Sequence, residues 1–556
     1  MIENYIIMPW KTFKVMNKYF VILIMPFFAV IFIPLEVDAQ KPNERPKLVV
    51  GIVIDQMRND YIHRYYDDFG EDGFKRLIEK GFYYSNAHYN YFPTYTAPGH
   101  ASVYTGATPA VHGIVGNYWY HKGLGEEVYC TTDNQCQVVG GEGRGMSSQR
   151  LVTTTVSDEL KLTTNHRAKV IGISIKDRGA ILPAGHMADA AYWFNDDGHF
   201  ISSTYYMEQL PTWVTVFNER KLPVEYIKKG WDKSPDVSYD ESTVDDTPYE
   251  SRMGGKDTPT FPYDLSSLIK QGGVGSMKVT PYGNDIIIDM AEATLENEDM
   301  GVDEITDLLA LSFSATDYVG HAMGVRSMET QDTYIRLDRS IARLLSLLDE
   351  KVGKDNYLIF MTADHGANDV PQYLKDNKVD AEALVSSDEK DAIKEFSIEK
   401  YGENVIKNFS NHNLYYNSDV IKSKKLEIDE LNQTFRKYLL EKRYIKRVYT
   451  AEEVLRGNPA DKYLSMIFSG FDPKQNGDLV ILLNPGYMFY KNVGTTHGSP
   501  YIYDTHVPVV WYGWNIKPGR SHSYQVITDI APTLSQKINI SMPSGSRTQI
   551  MEEIFR

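Results

Sequence analysis

Four short apolar runs, each closed by residues able to do chemistry, constrain this chain more than any other feature. LVVGIVI (48–54) is followed by Asp55, and KVIGISI (169–175) by Lys176-Asp177-Arg178. LLALSFS (308–314) leads to Asp317 and His321, and YLIFMT (357–362) leads to Asp364-His365. Runs apolar at successive positions suit strands covered on both faces, because alternate side chains point to opposite sides of a sheet. Helical patterns lie between them, as at Gly73–Lys80 and Met328–Glu350. This alternation predicts an α/β fold with a doubly wound, mostly parallel sheet flanked by helices. Ligands of such sheets gather beyond the carboxyl ends of the strands, which is where these polar residues stand.

Two stretches break the rhythm. Residues from about 195 to 301 are rich in Asp, Thr, Pro and Tyr, and those from about 369 to 476 carry long charged segments. Both are expected to be insertions that cap the mouth of the site, within one catalytic domain spanning 40–556.

The N-terminus has the layout of a secretory signal peptide over residues 1–39. Lys11, Lys14 and Lys18 precede FVILIMPFFAVIFIP (20–34), and Val37-Asp38-Ala39 supplies a small residue at the cut. Pro26 and Pro34 interrupt a run already short for a membrane span, so no stable membrane insertion is expected after cleavage. Met16 offers an alternative start. The destination is then periplasmic or secreted, and the two cysteines, Cys130 and Cys136, are expected to close one small disulfide loop. The net charge of −16 repels polyanions and argues against a nucleic-acid partner. A small anionic substrate would need local cations to overcome that field.

Six side chains of metal-ligand type stand at these strand ends or in one late loop: Asp55, Asp317, His321, Asp364, His365 and His497. One helical turn or a tight loop would aim Asp317 and His321 at one ion. His497 lies in VGTTHGSP, whose small residues permit close approach to a metal. Mixed nitrogen and oxygen donors suit Zn²⁺, with Mn²⁺ or iron compatible on ligand type alone. Between the first two runs lies TYTAPGH (94–100), where Pro98 marks a helix start; Thr96 taken alone reads as its cap, and beside the metal set as a nucleophile. A helix N-terminus there would offer N–H groups to a phosphoryl oxygen. His88, His100, His112 and His186 are expected to be supporting or structural.

Asp55, TYTAPGH, SIKDRGA, TDYVGHAMG, TADHG and TTHGSP, in this order, resemble the alkaline phosphatase superfamily, and within it the phosphate-irrepressible bacterial enzymes of the PafA type. The resemblance runs from about residue 47 to about 534. It implies two Zn²⁺ per chain, one on Asp317, His321 and His497, the other on Asp55, Asp364 and His365 with Thr96 beside it. It implies a phospho-threonine intermediate on Thr96, with Asn117 donating to a phosphoryl oxygen. Lys176 and Arg178 match the cationic pair of the PafA-type enzymes, and their i, i+2 spacing would set both on one side of an extended segment.

That pair points to small phosphate monoesters, whose terminal group is dianionic with three free oxygens. The alternative is a nucleotide pyrophosphatase/phosphodiesterase, which shares the threonine, asparagine and metals but not the cations. Sulfatases are disfavoured, since Thr96-Ala97-Pro98-Gly99-His100 holds neither a convertible Cys or Ser nor an arginine. A phosphate-binding protein on a degenerate site is disfavoured because no ligand or nucleophile is missing. A monomer suffices for this reading.

Overall fold

The computed structural model describes residues 45–547 and 549–556. The expected signal peptide therefore lies outside the described residues.

Eight strands organise the main sheet: β1 (Leu48–Ile54), β2 (Phe82–His88), β3 (Val170–Ser174), β4 (Ala190–Phe194), β5 (Phe200–Ser203), β6 (Asp307–Phe313), β7 (Tyr357–Thr362) and β8 (His506–Gly513). Their order across the sheet is β2-β8-β7-β1-β6-β3-β4-β5, with three shorter strands at the margins. The five from β7 to β4 run parallel, whereas β8 and β5 flank them antiparallel. The sheet is therefore mixed at its edges and parallel at its centre. The apolar runs explain the centre, since every residue of β1, β3, β6 and β7 is buried. Helices must cover both faces of such strands.

Four helices matter for the site: α1 (Thr96–Thr105), α2 (Asp177–Ala184), α3 (Ala315–Met323) and α4 (Met328–Lys351). In α4, Leu337, Ile341, Leu344, Leu345 and Leu348 recur at helical spacing and are buried, while Ser327 caps its start by accepting from the Thr330 N–H.

Register brings the strand ends level. Val53 pairs with Ser312 on one side and Thr362 on the other, and Ser312 pairs with Ser174. The residues that follow each strand consequently emerge along one edge of the sheet.

The stretch 195–301 contributes the edge strand β5 and a helix at Tyr282–Asn297, which is tied to α4 by Ser340–Asp285 and Arg343–Asp289 bonds of 2.6 Å each. The later stretch builds a second, four-stranded antiparallel sheet from Ile406–Ser410, Asn413–Tyr416, Leu479–Leu483 and Ile445–Thr450, with its own core around Leu414, Phe435 and Ile481. These extra sheets are cap insertions. The hairpin tip at Asn411 reaches the main body, where its amide donates to the Tyr118 carbonyl beside Asn117.

Cys130 and Cys136 are free thiols, which corrects the expected disulfide. Cys130 packs in an apolar cluster with Trp119 and Leu182, and the Cys136 thiol donates to Asp133 Oδ2 at 3.2 Å. Each sulfur is thus committed elsewhere.

Candidate active site

Asp55 leaves β1, Lys176 leaves β3, and Asp364 and His365 leave β7. Asp317 and His321 sit one turn apart on α3, where i and i+4 share a face. Thr96, Asp55, Asp364 and His365 are all at most 1% exposed. His497 arrives from the late loop, and its ring stacks on that of His365 with centroids 3.4 Å apart.

Each of the three histidines donates through Nδ1 to a backbone carbonyl: His321 to Thr495 (2.7 Å), His365 to Gly366 (2.9 Å) and His497 to Thr94 (2.8 Å). A carbonyl only accepts, so Nδ1 carries the proton and Nε2 turns its lone pair inward. His321 Nε2 lies 3.2 Å from Asp317 Oδ1, and His497 Nε2 lies 3.7 Å from it. His365 Nε2 lies 3.4 Å from both Asp55 Oδ1 and Asp364 Oδ2. Two groups of donors have converging ligand atoms: Asp317, His321 and His497, and Asp55, Asp317 and His365. The first is the trio expected from sequence. The second draws in Asp317, while the expected Asp364 stands with Oδ2 3.4 Å from the same His365 Nε2.

Asp55 Oδ1 and Asp364 Oδ2 have no hydrogen-bond partner although both are shut off from solvent. An unpaired buried carboxylate oxygen is costly unless a cation faces it. Together with the inward Nε2 atoms, this makes the residues a fitting set for metal ions. Electrostatics agree. Burial lowers His365 to about 3, and burial with neighbouring His365 holds His497 well below the usual range, so both rings are neutral and free to ligate. Burial and the adjacent Asp55 push Asp364 well above the ordinary carboxylate value.

Lys176 Nζ bridges Asp55 Oδ2 (2.5 Å) and Asp317 Oδ2 (2.6 Å) and lies over the Tyr318 ring. Burial lowers the Lys176 pKa, but those two carboxylates outweigh it and keep the ammonium charged. The i, i+2 expectation for Lys176 and Arg178 fails in one respect. The strand stops at Ser174 and α2 begins at Asp177, so Lys176 is the cap residue and Arg178 is already helical. Arg178 donates to the Tyr129 hydroxyl at 3.0 Å, and that hydroxyl donates to Asp177 at 2.5 Å.

Thr96 is the first residue of α1, and its hydroxyl makes no cap; Oγ1 lies instead 3.4 Å from His365 Nε2. In the first turn the Ala97 N–H goes to Asn117 Oδ1 at 2.8 Å, Pro98 has none, and the Gly99 N–H goes to the Tyr95 carbonyl. Asn117 Oδ1 is thereby fixed at the start of α1. A Cβ on Gly99 would stand 2.4 Å from the Asp364 carbonyl oxygen, so only glycine lets α1 lie this close to β7.

Sequence reasoning left His100 without a defined role. Its Nδ1 contacts the Thr96 carbonyl and its Nε2 contacts Ser312, each at 2.9 Å, tying α1 to β6. His112 and His186 bond away from the centre, to Ser102 and to Thr153 with Ser148. His88 stacks on His506 at the sheet margin. Gln56, Tyr129 and Tyr318 were missed. Gln56 alone had a signal, as the neighbour of Asp55 at a strand end.

A profile of the type I phosphodiesterase / nucleotide pyrophosphatase family matches residues 49–525. The protein is therefore an enzyme of that class, a hydrolase with two candidate metal-binding clusters. Within it, the chain belongs to the alkaline phosphatases of the PafA type. It is 41% identical to alkaline phosphatase PafA of Elizabethkingia meningoseptica over 526 residues, covering 93% of this chain and 96% of that one. It is 42% identical over 533 residues to a protein of Myroides odoratus named calcium-transporting ATPase, covering 94% and 97%. The crystal structure of wild-type PafA matches with a TM-score of 0.89 at 41% identity, covering 92% of this chain and 99% of that one. Among the described residues no helix is long and apolar enough to cross a membrane.

Proposed function

We propose that this chain is an exported two-zinc alkaline phosphatase that hydrolyses small phosphate monoesters through a phospho-threonine at Thr96. The observation that carries this reading is the placement of Thr96 Oγ1, 3.4 Å from an inward-turned His365 Nε2, beside buried carboxylate oxygens that lack partners. Asp317, His321 and His497 would hold one ion, and Asp55, Asp364 and His365 the other. When bound, the ions supply Lewis-acid stabilisation of the attacking and departing oxygens.

The remaining work falls to the chain. Thr96 Oγ1 attacks phosphorus in line, forming the Oγ–P bond as the bond to the alcohol oxygen breaks. Water then displaces Thr96 and releases inorganic phosphate. The Thr96 N–H and the Asn117 NH₂ donate to phosphoryl oxygens, which gain charge in the transition state. Lys176 and Arg178 face the third oxygen. Charge decides why both ions and these cations are needed. Once metal binding ionises Asp364, three carboxylates exceed Lys176 and Arg178 by one negative charge, and two divalent ions reverse that sign toward a dianion.

The cationic pair favours monoesters, since a diester replaces one of those oxygens with an organic group. The terminal phosphoryl of ATP presents the same oxygens, so phosphate release from ATP is expected as well. The profile match keeps the diesterase reading in play as a weaker activity. The leader over residues 1–39 would deliver the enzyme to the periplasm or beyond, and the 369–476 stretch with strand Leu479–Leu483 would cap the site.

The test compares an aryl phosphate with its methyl diester, using zinc-loaded protein before and after Lys176→Ala and Arg178→Ala. Monoester preference that collapses in the variants is expected; diester preference in the unaltered protein refutes the substrate assignment. Persistent phospho-enzyme in Thr96→Ala would remove Thr96 as nucleophile.

A further inference from the structure

Besides Lys176, a second buried residue outside the ligand set touches both halves of it. Gln56 follows Asp55 in a tight turn closed by the Met57 N–H, which donates to the Ile54 carbonyl at 3.2 Å. Its φ is 67°, the left-handed region that glycine occupies most readily. A glutamine held there carries backbone strain, and such strain persists where the surroundings over-determine it. Here they do. The Gln56 backbone N–H donates to Asp364 Oδ1 at 3.1 Å, and its side-chain Nε2 donates to Asp317 Oδ1 at 2.6 Å. The amide is seated against α3, because a Cβ on Gly320 would stand 1.9 Å from Gln56 Oε1. The Gln56 backbone carbonyl accepts from the Tyr334 hydroxyl at 3.4 Å.

We infer that Gln56 is a positioning residue that clamps the two ligand groups to each other, Asp364 through its backbone and Asp317 through its side chain. Topology explains why one residue serves both. Asp364 hangs from β7 and Asp317 follows β6, and β1 lies between those strands, so the residue after Asp55 is placed to reach either way. The bonds also aim the ligands. Asp317 Oδ1, which the Gln56 amide holds, is the oxygen that faces His321 Nε2 at 3.2 Å and His497 Nε2 at 3.7 Å. Asp364 Oδ1 is held by the backbone, which turns Oδ2 toward His365. A donor is required at Nε2, and a carboxylate in its place would face another carboxylate.

The inference rests on the two-zinc reading, and the experiment separates the two. Unaltered protein, Gln56→Gly and Gln56→Glu are loaded with zinc and titrated with a chromophoric chelator, and the thermal midpoint of each zinc-free form is recorded. Glycine suits the left-handed backbone, so zinc-free Gln56→Gly should melt at or above the unaltered protein. Its zinc affinity should nonetheless fall about 10- to 100-fold, the range for residues that orient a metal ligand. Gln56→Glu keeps the shape, loses the donor and should lose at least as much. Unchanged zinc affinity in both variants overturns the inference and leaves the two-zinc reading standing. A large drop in the zinc-free midpoint of Gln56→Gly also overturns it, since the residue would then be a structural tie. Unaltered protein that takes up no zinc overturns both.

Discussion

Adding one methyl group at Gly99 should disable this enzyme while leaving it folded. The Cβ of Gly99→Ala would lie 2.4 Å from the Asp364 carbonyl oxygen and 2.7 Å from the Asp364 Cβ, where ordinary contact begins at 3.4 Å. These atoms belong to α1 and to the segment leaving β7, both fully buried, so neither can swing aside as a flexible side chain would. Relief requires α1 and the Asp364–His365 segment to part by about 1 Å, the shortfall between those distances. Overpacking of this kind costs about 1–3 kcal/mol of stability. The catalytic cost is larger in proportion, because Thr96 rides on α1 and its Oγ1 is placed against His365, and a misplacement of about 1 Å costs on the order of 100-fold in rate. The assay is kcat/KM on an aryl phosphate together with thermal denaturation of zinc-loaded protein. Gly70→Ala is the control, since its Cβ would meet only Asp338 Oδ2, at 3.4 Å. Gly99→Ala activity within threefold of the unaltered enzyme would refute the claim that α1 is seated by that contact.

Two further outcomes follow from groups away from the centre. Burial, with Glu329 close by, pushes Glu250 up to about 9 from 4.5, so above pH 4.5 the folded carboxyl keeps a proton that the unfolded chain has released. Its contribution is fully present below 4.5 and is lost as pH rises toward 9; Glu250→Gln should therefore match the unaltered protein near the acid end and gain in thermal midpoint toward alkaline pH, and a constant gap across the range would refute this. Burial pushes the Cys130 thiol up to about 12 and the Cys136 thiol up to about 11, and the two are not joined in a disulfide. Denatured, unreduced protein should yield two titratable thiols per chain with no change in melting on adding reductant; zero thiols would restore the disulfide.

Continuous apolar runs were legible as buried parallel strands because a strand covered on both faces carries mainly apolar residues on each. Asp55, Lys176, Asp364 and His365 could be read as strand-end residues on that ground, and Asp317 with His321 as one helical turn. What lay beyond local reach was partnership. Asp317 converges with both donor groups, Lys176 bridges Asp55 and Asp317, and Arg178 sits on the first turn of α2, because strand register and helix packing set distances between segments hundreds of residues apart. Gln56 shows the division most clearly. In the sequence it is one glutamine after an aspartate, and only the turn that gives it a φ of 67° lets it hold Asp364 and Asp317 together. Residue types in order determined the chemistry available to this chain; the fold decided which of them meet, since a hydrogen bond depends on separations of tenths of an ångström that spacing along a chain does not encode.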